Sequence, residues 1–189
     1  MPMKATDILM EEHQVILRVI AALDIWANRL NSGEPAQPTY FIEAAEFIKG
    51  FADGCHHRKE EGVLFPAMVT AGLPADSGPI AVMLAEHEEG RRFTRSMRQA
   101  AEKVANGEID ASNDIVTNAL GYVKLLRQHI QKEDYILFPM AGKIIPAEKQ
   151  AQVNSSSDQI DQEIGEGEHH KYLALAERLE LDARQSYEG

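Results

Sequence analysis

Cysteine occurs once in the 189 residues, at Cys55. A single thiol excludes an internal disulfide framework and any zinc site built on thiolates, and it suits a reducing compartment. Aromatic residues make up only 6% of the chain, and long β-branched runs are missing, which leaves little material for strands. No apolar run approaches the ~20 residues needed to cross a bilayer. Lys and Arg form no block, and the formal net charge is −11. Nucleic acid phosphates and anionic lipid are therefore not expected as partners. The opening stretch MPMKATDILMEEHQVILRVI carries acidic residues where a secretory leader would be apolar, so a cytoplasmic protein is expected.

What fills the chain instead is Ala, Leu, Glu, Lys, Arg and Gln, a helix-forming mixture. Apolar spacing and punctuation predict five helices. The first runs from about Ala5 to Leu30, ended by NSGEP. The second starts near Pro38 and ends by Gly72; the third opens after Asp76 and Ser77 and runs to about Asn106. The fourth starts near Asp110 or Ser112 and reaches about Ile145. Short connections between four long helices predict an all-α fold, an antiparallel up-down bundle. Pro66 and Pro139 fall late in helices two and four and should kink them or end them early. The Ser-rich stretch VNSSSDQ, and Asn154 to Asp158 in particular, reads as a flexible linker to a last helix over about Glu166 to Arg184. The expected organisation is a bundle over residues 1–148 and a linker with a docking C-terminal helix over 149–189.

One pattern occurs twice. HHRKEEGVLFP at 56–66 and HIQKEDYILFP at 129–139 both place His four residues before Glu, with Leu-Phe-Pro following after three more residues. Four histidines, His13, His56, His87 and His129, fall one on each bundle helix, and their neighbours at helical spacing are largely apolar. Glu60 and Glu133 follow on the same stripes. His57 shares its face with Glu46, Lys49, Gly50 and Asp53, so it and Glu61 read as outward neighbours unless the helix is locally rewound. A lone His on an apolar face is usually a structural residue. Two carboxylates and four imidazoles at one level of a core are different, because burying unpaired charge costs several kcal/mol. Metal coordination satisfies all six at once, and imidazole mixed with carboxylate suits iron, manganese or zinc.

These residues resemble the hemerythrin HHE cation-binding domain over about residues 5–145. The matching pieces are EEHQVI, HHRKEEGVLFP, AEHEEG and HIQKEDYILFP. The resemblance implies a non-haem di-iron centre with His13, His56, Glu60, His87, His129 and Glu133 as ligands, Glu60 and Glu133 bridging. Oxygen-carrying hemerythrins set two histidines one turn apart on the third helix, whereas Met83 and Arg91 stand at those places here. A five-His site is then not expected from the bundle alone, and an open coordination position follows. The implied function is binding or sensing of oxygen, nitric oxide or peroxide. The alternatives are a di-iron enzyme that dismutates peroxide, reduces nitric oxide or donates iron for cluster repair, and a zinc-binding or metal-free helical interaction module. No Cys-rich N-terminal region supports a dedicated repair role. A homodimer is compatible with the sequence. Bland readings are expected elsewhere: a core role for Tyr122, a buried apolar role for Cys55, a solvated turn for His169 and His170, and solvated faces for Glu11-Glu12 and Glu88-Glu89.

Overall fold

The computed structural model describes residues 5–185, and every regular element among them is helical. α1 spans Ala5–Asn31. The second rod is one continuous helix made of four pieces: α2 (Pro38–Phe47), a π-helical stretch Ile48–His57, a π turn Glu60–Leu64, and α3 (Phe65–Thr70). α4 is Gly78–Ala105. The fourth rod comprises α5 (Ser112–Lys132), a π turn Glu133–Leu137 and α6 (Phe138–Ile144). Two further helices follow, α7 (Ala147–Ile164) and α8 (Glu166–Gln185), turned at Gly165 with φ +83°.

Cross-links between rods run in opposite directions along the chain. On α1, His13 meets Asp134 while Asp24 meets Arg127 further back along the fourth rod. Neighbouring rods are therefore antiparallel. α8 packs against α1 and the second rod. Its Arg178 pairs with Glu43, and its Glu180 with Arg18.

The repeated Leu-Phe-Pro has a backbone meaning. In each copy the Phe N–H bonds to the carbonyl five residues back, Phe65 to Glu60 and Phe138 to Glu133. A proline inside an α-helix loses its N–H bond and presses on the carbonyl four residues earlier. The wider π turn just before Pro66 and Pro139 absorbs that conflict, and each rod then continues. The prolines neither break the rods nor end them at once, and the π turn begins at the motif glutamate.

The Ser-rich stretch is the clear departure from expectation. Asn154 to Asp158 is not a linker but the middle of α7, where Val153, Ser157 and Ile160 are buried. Three-four spacing of buried positions holds this helix, and packing outweighs the weak helix preference of Asn and Ser.

The core divides into two apolar clusters. One gathers Ile16 to Ala27 with residues from Tyr40 to Ala52, from Met97 to Ile130, and from α8. The other holds Ala5, Leu9, Leu64, Phe65, Met68, Ile80, Met83, Leu137 and Phe138 near the opposite end. Between them lies a fully buried polar layer.

Candidate metal centre

All six residues singled out in the sequence lie in that layer, each at most 2% exposed. The structure adds a seventh. His57 is buried beside His56, and its ring stacks on that of His87 with centroids 3.8 Å apart. The reading of His57 as an outward neighbour is thus corrected. In the π stretch Ile48–His57 each residue turns less about the axis than in an α-helix, so His56 and His57 flank one inward direction. The bundle itself brings five imidazoles together, and the missing partner of His87 on its own helix is replaced by His57.

Each of these imidazoles meets a carboxylate through Nδ1: His13 with Asp134 at 2.7 Å, His56 with Glu12 at 2.9 Å, His57 with Asp53 at 2.9 Å, His87 with Glu61 at 2.6 Å, and His129 with Glu86 at 2.9 Å. Four of the pairs form a closed circuit. Glu12 on α1 serves the second rod, Glu61 there serves α4, Glu86 on α4 serves the fourth rod, and Asp134 returns to α1. Each supplier is the chain neighbour of a central residue. The rings of Phe65 and Phe138 follow the same direction, stacking on His87 and His13 at 5.9 and 5.5 Å.

A carboxylate at Nδ1 keeps the proton there and turns the Nε2 lone pair inward. At the centre, Glu60 Oε1 lies 3.4 Å from His56 Nε2, and its Oε2 lies 3.4 Å from His87 Nε2. Glu133 Oε2 lies 3.2 Å from Nε2 of both His13 and His129. Both oxygens of both glutamates, and Nε2 of His13 and His56, lack a hydrogen-bond partner. Buried acceptors left so are rare and costly.

Electrostatics follows from this crowding. Burial alone would lower the pKa of His56, but Glu60 and Glu12 outweigh it and lift the ring to about 10. His129 is lifted against burial to about 9 by Glu133 and Glu86. His57 has no central carboxylate aimed at it closely enough, and burial with the neighbouring His87 holds it well below the usual histidine range. Glu60 would be raised by burial, yet His56 and His87 hold it well below the usual carboxylate range.

The potential ligand atoms fall into two overlapping groups, each with atoms within 4.8 Å of one another. One is His57, Glu60, His87 and His129; the other is His13, His56, Glu60 and Glu133. Glu60 belongs to both. Nitrogen and oxygen donors at these separations, with orphaned acceptors between them, suit metal binding.

Other sequence readings resolve locally. Glu12 is not a solvated residue but a buried one, whereas Glu88 and Glu89 stay near solvent and pair with Arg91 and Arg92. Arg91 also contacts Glu61 at 2.7 Å and Asp53 at 3.4 Å, steadying two of the carboxylates that hold imidazoles. Tyr122 is buried with an unpartnered hydroxyl and belongs to neither ligand group. Cys55 is buried, and burial pushes its thiol up to about 11. His169 and His170 line a cleft with Cys55 and Glu12 and lie outside both groups.

The profile of the family described as "Hemerythrin HHE cation binding domain" matches residues 4–141. The chain belongs to the hemerythrin HHE family. Among its relatives, an uncharacterized protein of Mycobacterium tuberculosis is 25% identical over 146 residues, covering 77% of this chain and 56% of the relative. An iron-sulfur cluster repair protein of Yersinia pseudotuberculosis is 34% identical over 89 residues, covering 46% of this chain and 40% of that protein. The matches thus span little more than half of the mycobacterial relative and less than half of the Yersinia one. As a hemerythrin-like protein the chain carries a buried His/Glu cluster suited to metal. No helix among the described residues is long and apolar enough to cross a membrane.

Proposed function

We propose that this hemerythrin-like protein holds two non-haem iron ions and binds or senses a small oxidant, namely oxygen, nitric oxide or peroxide. The observation that carries the reading is the pair of overlapping donor groups with Glu60 common to both and its two oxygens otherwise unpartnered. His57, His87 and His129 would hold one ion, His13, His56 and Glu133 the other, with Glu60 common to both. Two iron ions at this place would supply exchange of up to two electrons with the bound ligand. Zinc and manganese suit the same donors, but zinc has no redox change to offer a bound oxidant.

The chain's own part is positional. The five outer carboxylates fix the imidazole protons at Nδ1 and aim Nε2 at the ions. The apolar clusters on either side keep bulk water from the layer. Three histidines with Glu60 on one side, and two histidines with Glu60 and Glu133 on the other, make the halves chemically unequal.

A second reading is iron donation to damaged iron–sulfur clusters, favoured by the similarity to the iron-sulfur cluster repair protein of Yersinia pseudotuberculosis. A third, turnover of peroxide or nitric oxide, uses the same centre. Metal content and the optical spectrum of protein purified in air test the main reading, with a His56→Ala/His129→Ala double variant as control. About two irons per chain and oxo-to-iron charge-transfer bands lost in the variant are expected. Stoichiometric zinc, or no metal at all, overturns it. Sustained hydrogen peroxide consumption then separates an enzyme from a binding protein, and iron loss to an acceptor cluster protein identifies a donor.

A further inference from the structure

Lys59 is 1% exposed, the most deeply buried lysine among the described residues. It lies in the middle of the repeated motif, between His56 and Glu60, yet points away from the polar layer. Its ammonium contacts two carboxylates. One is Glu12 Oε1, on α1; the other is Asp161 Oδ1 at 2.8 Å, on α7. The other oxygen of Glu12 is the one that meets His56 Nδ1 at 2.9 Å. Four groups therefore stand in series: Asp161, Lys59, Glu12 and His56.

A buried ammonium needs partners, because desolvating it unpaired costs several kcal/mol. Here α1 provides one partner and α7, which follows the four-rod bundle, provides the other. Asp161 is 43% exposed, so its contact with Lys59 is the solvent-facing end of the series. The apolar residues of α7 that dock it are few, with Val153 and Ile160 each 9% exposed and Ser157 buried without a partner for its hydroxyl. The Lys59–Asp161 pair therefore seats this helix together with Arg58–Glu163 and the bond from Ala5 N–H to Asn154 Oδ1, and among these polar ties it alone reaches a carboxylate that meets an imidazole of the polar layer.

We infer that Asp161 and Lys59 couple the docking of α7 to the metal held by His56. The inference rests on the dimetal reading above. A metal at His56 Nε2 draws electron density from the ring and strengthens the Nδ1–H bond to Glu12. The carboxylate of Glu12 is shared with Lys59, so how firmly Asp161 neutralises Lys59 sets how basic Glu12 remains towards His56. Asp161 paired leaves Glu12 a better acceptor and His56 a better donor to the metal. Asp161 absent leaves Lys59 to draw on Glu12 alone and weakens His56 as a ligand. Because linkage is reciprocal, a metal that binds more tightly when α7 is seated must also seat α7 more tightly. Asp161 and Lys59 are positioning residues, acting on the metal only through Glu12 and His56.

The test is backbone hydrogen exchange of the full chain, metal-free and loaded with Co(II), read separately over residues 147–164 and over the rods at the polar layer. Loading is expected to slow exchange in both regions. In Asp161→Asn the slowing at the layer persists and that over 147–164 disappears. The same variant should bind the weaker of two Co(II) ions about fivefold less tightly, at the low end for coupled sites, with a change in the cobalt absorption bands. Lys59→Met, which keeps the stem and removes the charge, should also uncouple 147–164. If loading protects the layer but leaves 147–164 unchanged in the parent protein, the coupling is overturned. If loading protects neither region, the dimetal reading itself fails.

Discussion

Nε2 of His87 stands 3.0 Å from Nε2 of His129. Their Nδ1 atoms are taken by Glu61 and Glu86, so in neutral rings two lone pairs face one another across that gap. A cation has to lie between them, either a metal or a proton. In the metal-free protein it is a proton, and the same holds for His56 beside Glu60.

This fixes a pH dependence. His129 and His56 have folded values near 9 and 10 against an ordinary 6.5. A raised histidine contributes stability that is fully present below its unfolded value and is lost as pH rises through the folded one. The melting temperature of the metal-free protein is therefore expected to fall between about pH 7 and 10. The metal-loaded protein should not follow it, because the metal replaces the proton. Calorimetry at stepped pH on both forms checks this, and a flat metal-free profile would contradict it.

Glu60 and Glu133 are not equivalent despite their matching motifs. Glu60 belongs to both donor groups and Glu133 to one. Glu60→Gln should lose both metals, each by more than the ~10–100-fold that removing an outer carboxylate costs. Glu133→Gln should retain about one metal per chain at His57, His87 and His129. Metal analysis after dialysis reads the difference; equal losses would refute the shared role of Glu60.

His57→Ala should remove one metal while leaving helix content unchanged by circular dichroism. His170→Ala should change neither. The comparison isolates the fifth imidazole, since both variants delete one of two adjacent histidines.

At Gly50 a Cβ would lie 2.0 Å from the ring of Tyr172 on α8. Gly50→Ala should force α8 off the second rod at a cost of about 1–3 kcal/mol. Urea unfolding measures it, and the metal-to-protein ratio should stay at the parent value because the clash lies outside the polar layer.

The rods were legible because their buried positions repeat at three-four spacing, and the six residues His13, His56, Glu60, His87, His129 and Glu133 were legible because they sit on those stripes. His57 was not, because a helical wheel assumes one fixed rotation per residue and the stretch Ile48–His57 is rewound. Asp53, four residues before it, gave no warning, because a carboxylate at that spacing pairs with an exposed histidine as readily as with a buried one. Asn154 to Asp158 misled because local composition favoured a linker while Val153 and Ile160 paid for a helix through contacts distant in sequence. The outer carboxylates were visible only as acidic neighbours of the central residues. Nothing in a one-dimensional reading says that Glu12, next to His13, belongs to His56 on another rod.

That circuit carries a consequence for topology. Four up-down rods joined by short connections can be wound clockwise or anticlockwise with nearly the same apolar burial. In the opposite winding each rod's flanks exchange neighbours, and Glu12, Glu61, Glu86 and Asp134 would turn towards rods whose imidazoles point elsewhere. Four carboxylates, Glu12 buried and the other three partly buried, would then lose their imidazole partners, at the greatest cost for Glu12. The polar layer thereby selects the handedness of the bundle, a choice that its oily faces leave nearly undecided.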